Sequence, residues 1–475
     1  MSEDAVVFAP ACEVARAIRE RRLSAVEVID ALLSRVEKLN PALNAYCLVL
    51  GEEAREMAQR AERAVAAHEK LGALHGVPVA IKDITPTRGV RTTYGSRAFA
   101  GHIPEEDAIL VARLRAAGAI IVGKTTTPEF GNKAVTDGPL LGRTNNPWRL
   151  SHTAGGSSGG SAAAVSAGLA SLADGSDGAG SIRIPASCCG VVGLKPSFGR
   201  VPVYPRNGYE SISHHGPLAR TVADVALMLS VIAGPDHRDP YGTPSGGTDY
   251  LAAARAPNID GWPVAFSEDL GLGPIEPQVA AVARTAAQTL SELGAEVEEN
   301  TPRTGDPRDP MTIVWQVSLG TIARERVLPA VGREGMDPHL LALMDAAESI
   351  AAVEHYRATQ FFRHDFYVAM QRFFDHYRLL VTPTQAVAPF PHPTAARPGP
   401  DHVMGRPINP FLGWLLTYHA NLTGQPAISI PYGSTEDGLP VGVQIIGRQG
   451  ADTDVLQAAA ALELARAEPQ PRPVL

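Results

Sequence analysis

The period of the hydrophobic pattern changes repeatedly along the chain. Ser24-Ala25-Val26-Glu27 has the form of a capping box, and apolar residues follow at helical spacing at Val26, Ile29, Leu33 and Val36. That spacing predicts a helix that stops before Pro41. "GEEAREMAQRAERAVAAHEK" predicts a more exposed helix, and "HGVPVAIKD" a strand ending at Lys82. "EDAILVARLRAAGA" followed by "IIVGK" predicts a helix, a turn near Gly118 and a strand. The unit recurs as "EPQVAAVARTAAQTLSELG" before "AEVEE", and as a long helix before "RLLVTPT". The chain closes with "GQPAISIPYG", "LPVGVQIIG" and a last helix, "DVLQAAAALELARA". This order implies an α/β protein with a large sheet covered by helices. Residues 235–260 and 385–410, rich in Pro, Gly and His, predict long loops, and "EPQPRPVL" predicts a frayed tail. No internal repeat divides residues 1–475, which are expected to form a single domain.

Composition narrows the function. At 45% hydrophobic and 19% charged residues, the chain has the profile of a soluble globular protein. Its 42 Lys+Arg against 50 Asp+Glu give a net charge of −8, which argues against a nucleic-acid partner. No apolar run approaches the roughly 20 residues of a membrane span. The acidic "MSEDAVVFAP" lacks the order of a signal peptide, so the cytoplasm is the expected address. Cys12, Cys47, Cys188 and Cys189 make no disulfide framework, and the adjacent pair lacks metal-ligand spacing and is expected to be buried. No metal or cofactor is expected. Only six basic residues are lysines (Lys38, Lys70, Lys82, Lys124, Lys133 and Lys195), against 36 arginines. A lysine in an apolar setting is therefore informative.

The candidate chemistry centres on "TAGGSSGGSAAAVSAGLA", residues 153–170. Ser157 and Ser158 each satisfy G-x-S-x-G, but a nucleophile elbow needs a strand directly before the serine. The polar, turn-forming "NNPWRLSHTA" stands there instead. A flexible linker is excluded by the helix-forming "SAAAVSAGLA" that follows. A better pattern joins three residues. Ser181 lies 24 positions after Ser157, flanked by Gly178 and Gly180, whose freedom lets backbone N–H groups converge on one point. Lys82, 75 positions before Ser157, ends an apolar strand, where desolvation favours the neutral amine.

The block "GGSSGGSAAAVSAGLASLADGSDGAGSIRIPASCCGVVGLKPSFGRVP", residues 155–202, resembles the signature block of the amidase signature family. The resemblance extends to "GVPVAIKD", "GKTTTPEFG", "GQPAISIP" and "GLPVGVQIIG", with its strongest core at residues 74–202 and a more variable, substrate-side region at about 203–420. It implies a large mixed, twisted sheet covered on both faces by helices. It also implies a Ser–cisSer–Lys triad: Ser181 as the acylated nucleophile, Ser157 as a bridging serine after a cis peptide bond, and Lys82 as the base. The backbone N–H groups of Gly178, Ala179, Gly180 and Ser181 would form the oxyanion hole, with Ser158 and Asp177 supporting the loop. Arg183 is expected to pair with a carboxylate such as Asp177. The family usually has two glycines where this chain has Ala179-Gly180, so the carry-over requires Ala179 to keep an ordinary backbone conformation. Alanine here also occurs in members resembling the nylon cyclic-dimer hydrolases, whose "GKT-TPE-GN" and "RIPAS" segments this chain shares.

Specificity is less legible. The aromatic residues of 356–377 (among them Tyr356, Phe361, Phe366, Phe374 and Tyr377) fit either a helix packed in the core or one wall of an apolar pocket. Asn132, in "EFGNKAV", is a candidate hydrogen-bond partner for a substrate amide; His152, His214 and His215 are given no role. The leading expectation is an amidase acting on small, rather hydrophobic amides, with water as second substrate and esters or carbamates within its chemistry. A homodimer stays open. The alternative is the amidase-like component of a tRNA-dependent amidotransferase complex, the glutamyl-tRNA(Gln)/aspartyl-tRNA(Asn) type, although such components usually carry glutamine where Ile184 stands.

Overall fold

Ser24 caps its helix as its sequence implies: the hydroxyl accepts the N–H groups of Val26 and Glu27, and the Glu27 carboxylate accepts the N–H of Ser24. This helix does not stop before Pro41, however, but runs from Ala25 to Leu43. Proline here removes only the bond to the carbonyl of Glu37, a residue on the exposed face. Burial of Leu39 and Leu43 holds the last turn on the core, and Asn44 ends it in the left-handed conformation.

The computed structural model describes residues 2–205, 212–244, 247–394, 397–466 and 471–475. Its centre is an eleven-stranded sheet. In chain order the strands are β1 (Tyr46–Val49), β2 (Pro78–Lys82), β3 (Ile120–Thr125), β4 (Leu172–Asp177), β5 (Val192–Lys195), β6 (His214–Ala219), β7 (Pro263–Phe266), β8 (Glu296–Glu299), β9 (Leu379–Pro383), β10 (Ala427–Ser434) and β11 (Pro440–Gly447). Their spatial order is β1-β3-β2-β4-β6-β5-β10-β11-β9-β7-β8. The sheet is mixed: β3, β2 and β4 run parallel, as do β9, β7 and β8, while the pairs from β4 through β6, β5, β10 and β11 to β9 are antiparallel. Strands as far apart as residues 46 and 447 thus share one sheet.

Two predicted irregular regions hold more structure than composition implied. Residues 235–260 contain a helix, Tyr250–Arg255, and 385–410 contain a two-stranded ribbon joining His402–Val403 to Arg406–Pro407. Of the predicted frayed tail, residues 468–470 lie outside the described residues, whereas Arg472 places its guanidinium 4.4 Å from the ring centre of Phe8.

The parallel pairing of β2 with β4 aligns Ala80 with Ala173, so both strands carry their carboxyl ends to the same edge of the sheet. Lys82 ends β2 there, and Asp174, Ser176 and Asp177 end β4 beside it. In open α/β sheets the carboxyl ends of parallel strands are where ligand sites form. The turn after β4 carries Ser181, and Ser157 and Ser158 stand just before the fully buried helix Gly159–Ser166.

Candidate active site

Lys82 has no solvent exposure. Its Nζ donates to Ser157 Oγ at 2.7 Å, Ser158 Oγ at 2.9 Å and Ser176 Oγ at 3.0 Å. Burial pushes its pKa down to about 7, against the opposing pull of the Asp174 and Asp177 carboxylates. Burial thus brings the neutral amine within reach near neutral pH, and in that form Nζ can accept from one of these hydroxyls. The strand is fixed as well, because Lys82 donates its backbone N–H to Asp174 Oδ1 at 2.5 Å.

The peptide bond between Gly156 and Ser157 is cis. Ser157 is 2% exposed and Ser181 6%, and the Ser158 N–H donates to the Ser181 carbonyl at 3.1 Å, tying the two serine segments together. The loop at Gly131 crosses directly over Ser157: a β-carbon on Gly131 would lie 3.0 Å from Ser157 Oγ. The Ser158 hydroxyl also donates to the Ser176 carbonyl at 3.3 Å.

Asp177 organises the turn that holds Ser181. Its carboxylate accepts from the backbone N–H of Gly180 at 2.7 Å and of Ile182 at 3.2 Å. It also accepts two bonds from Arg183, at 2.9 and 3.0 Å, with both side chains fully buried. Burial alone would raise the Asp177 pKa, but the Arg183 charge and the hydrogen bonds of Arg183 and Asn421 overcome it and hold the carboxyl well below its ordinary range. Arg183 then reaches Gln444, Asn421 and the Thr417 carbonyl at 2.6–2.7 Å, so the expected partner of Arg183 is found.

One expected oxyanion donor is corrected by this arrangement. The Gly180 N–H is committed to Asp177, because the carboxylate that shapes the turn must take its donors from the turn itself. The N–H groups of Gly178, Ala179 and Ser181 meet no protein acceptor among the described residues. Ala179 keeps an ordinary backbone, and its carbonyl accepts from Thr417 Oγ1 at 2.5 Å. Gly180 takes the demanding conformation, at φ +127°, where a β-carbon would lie 2.0 Å from Thr417 Oγ1.

A family model described as Amidase matches residues 27–456. The chain belongs to the amidase signature family. It is 41% identical over 470 residues to an acylamidase from Rhodococcus erythropolis, covering 98% of this chain and 97% of the relative. It is 38% identical to a component of the glutamyl-tRNA(Gln) amidotransferase from Symbiobacterium thermophilum, covering 95% and 96%. Among solved structures it is similar to a bacterial aryl acylamidase of the same family, with a TM-score of 0.90 at 31% identity and 96% of both chains covered. It is also similar to 6-aminohexanoate cyclic dimer hydrolase bound to its substrate, with a TM-score of 0.88 at 30% identity, covering 98% and 99%. This amidase is a hydrolase of carbon–nitrogen bonds in amides.

Two residues of the amidase site were not singled out from sequence. Asp174 and Ser176 alternate on β4 and share one face with Lys82's amine and backbone; polar residues at spacing two in a buried strand were the available signal. Asn132 is brought beside the site, next to Gly131. It is fully buried, its carbonyl accepts from Trp315 Nε1 at 3.0 Å, and its side-chain amide meets no protein partner among the described residues.

A cavity of about 640 Å³ opens at Ser176. Tyr94 and Phe130 stack in it with ring centres 5.6 Å apart and planes 3° off parallel, and Phe99 meets both edge-on. Ile84, Leu110 and His215 belong to the same wall. The aromatic residues of 356–377 do not line it. Phe366 and Phe374 are buried in the core at 1% and 2% exposure, while Tyr356 and Phe361 face solvent. Period 3.6 distributes a dense aromatic run over all sides of a helix, so only one stripe is buried, and here that stripe meets the core. Among the described residues no helix is long and apolar enough to cross a membrane.

Proposed function

We propose that this chain is a stand-alone, cytoplasmic amidase acting on small, rather hydrophobic aryl, alkyl or cyclic amides through an acyl-enzyme on Ser181. The observation that carries the reading is the fully buried Lys82 amine 2.7 Å from Ser157, with Ser181 in the adjoining turn. A serine hydroxyl is a weak nucleophile and must pass its proton to a base. Ser181 Oγ attacks the amide carbon while its proton moves to Ser157 and that of Ser157 to neutral Lys82. The carbonyl becomes an oxyanion facing the N–H groups of Gly178, Ala179 and Ser181. The C–N bond then breaks as the proton returns from Lys82 through Ser157 to the leaving nitrogen. Water attacks the ester by the same route and releases the acid. The reaction needs no cofactor.

Asn132, with both side-chain polar atoms buried and unpartnered among the described residues, is the group for the substrate amide to hydrogen-bond. The aromatic wall of Tyr94, Phe99 and Phe130 supports an apolar acyl or amine group, since stacked and edge-on rings offer large apolar area. The amidotransferase alternative is disfavoured by Ile184, which is 1% exposed and puts an apolar side chain where those components usually carry glutamine. Initial rates of the purified chain on anilides, N-alkyl amides, cyclic amides, carbamates and glutamine test the reading. Turnover of the hydrophobic amides by the chain alone supports it. Turnover confined to glutamine, and only with partner proteins, overturns it.

A further inference from the structure

His215 stands apart from the triad and belongs to the cavity. On the antiparallel pair of β6 and β4, His215 lies opposite Ser176 and Pro217 opposite Asp174. Cross-strand partners point to the same face, so His215, Ser176 and Asp174 share the face that holds the Lys82 amine. The imidazole has two different sides. Nδ1 is buried, lacks a hydrogen-bond partner among the described residues, and lies 3.7 Å from Asp174 Oδ2. Nε2 is not buried in the same way, and the ring lines the cavity.

The carboxylate decides how the ring is used. Asp174 Oδ1 accepts the Lys82 N–H and Oδ2 accepts the Thr85 hydroxyl at 2.7 Å, so its position is fixed. A carboxylate beside Nδ1 favours the proton on that nitrogen and leaves the lone pair on Nε2. Ser176 is engaged by Lys82. The rest of the lining is apolar or aromatic at Ile84, Pro86, Leu110, Tyr94 and Phe130, with His102, Thr321, Glu325 and Arg326 as its other polar members.

We propose that His215 is a specificity-determining residue, accepting at Nε2 a hydrogen bond from a hydroxyl or N–H group on the part of the amide that enters the cavity. The inference rests on the amidase reading above and names its substrate class: ring-bearing amides with a polar donor on the ring, as phenolic amides have. A pocket that buries a hydrogen-bonding group discriminates against analogues that leave the group unpaired.

The test compares hydroxy, methoxy and unsubstituted rings at each ring position, in a set of anilides and a set of N-alkyl phenylacetamides. At one ring position the wild-type kcat/KM should favour hydroxy over both other substituents by about tenfold or more. His215→Phe should lower kcat/KM for the hydroxy amide more than for the unsubstituted one until the preference is lost, and His215→Gln should restore part of it. A second measurement needs no variant: the matching phenol should inhibit the wild-type enzyme more tightly than the anisole. The inference is overturned if wild-type turnover shows no hydroxyl preference at any position, if the preference survives in His215→Phe, or if phenol and anisole inhibit equally. Failure of the amidase reading itself has a different signature, the absence of wild-type turnover on every amide in both sets.

Discussion

Lys82 Nζ and Ser157 Oγ lie 2.7 Å apart in a site where the lysine has no contact with solvent. The pair joins the end of one strand to a turn 75 residues further along the chain, and burial fixes its chemistry: the amine loses its proton near neutrality rather than in strong base.

Activity should therefore rise as pH passes upward through about 7, where Lys82 becomes neutral. A kcat/KM profile measures this. Lys82→Arg keeps the charge, cannot deprotonate in this range, and should fall by roughly 10³-fold or more, as Lys82→Ala does. Substantial activity in the arginine variant would assign the lysine to charge alone. The sign for stability follows from the same shift. Between about pH 7 and 10.5 the unfolded chain holds the Lys82 proton and the folded chain does not, so stability gains a term that rises with pH. Lys82→Met should lose that slope in denaturant titrations.

The buried pair of Asp177 and Arg183 should be sensitive to losing one member. Asp177→Ala leaves a buried guanidinium without its carboxylate and frees the Gly180 and Ile182 N–H groups, at a cost of about 3–5 kcal/mol. Because the Asp177 carboxyl is held well below its ordinary range, its contribution is complete above the unfolded carboxylate pKa of about 3.9 and is lost as pH falls below it. Acid unfolding of the wild type and of Asp177→Asn checks the sign: the variant should lack this contribution at neutral pH.

Gly180→Ala should impair both folding and activity. The new methyl would meet Thr417 Oγ1 at 2.0 Å, and the φ of +127° is one that alanine avoids. Thr417→Ala in the same chain removes the hydroxyl contact but leaves the β-carbon of residue 417 at 2.6 Å, Ile184 Cδ1 at 2.7 Å and the backbone strain, so melting temperature should recover only in part. Full recovery would show that the conformation at Gly180 is unimportant.

The two aromatic groups should separate in mutagenesis. Phe366→Ala truncates a core ring that is 1% exposed and should cost about 3–5 kcal/mol of stability, with the substrate preference retained. Phe130→Ala removes one face of the Tyr94 stack and should raise KM for aryl amides more than for small alkyl amides. The comparison of melting temperature with KM across an aryl and an alkyl substrate checks both.

Much of this was legible in the chain because local physics and global fold agree. The Ser24 cap, the strand ending at Lys82 and the helices between strands each formed where period and caps placed them. The scarcity of lysine marked burial more than catalysis: Lys124 and Lys195 are as fully buried as Lys82, yet Lys124 serves the Thr85 carbonyl and two threonine hydroxyls. Pro41 misled because a proline in a last turn gives up a single bond on a solvated face. The Gly180 donor was misassigned because sequence shows which N–H groups can converge, not which one the Asp177 carboxylate takes. The cavity was hidden for a deeper reason. Its wall draws on Tyr94, Phe130, His215 and Arg326, from both the motif core and the variable region, and only tertiary pairing brings them together.

The nucleophile is the central claim, and covalent labelling tests it most directly. The chain is treated with a fluorophosphonate or sulfonyl fluoride, digested and mapped by mass spectrometry, with Ser181→Ala as the control. The account predicts one adduct, on Ser181, and none in the variant. An adduct on Ser157 or Ser158, retained when Ser181 is replaced, would contradict it.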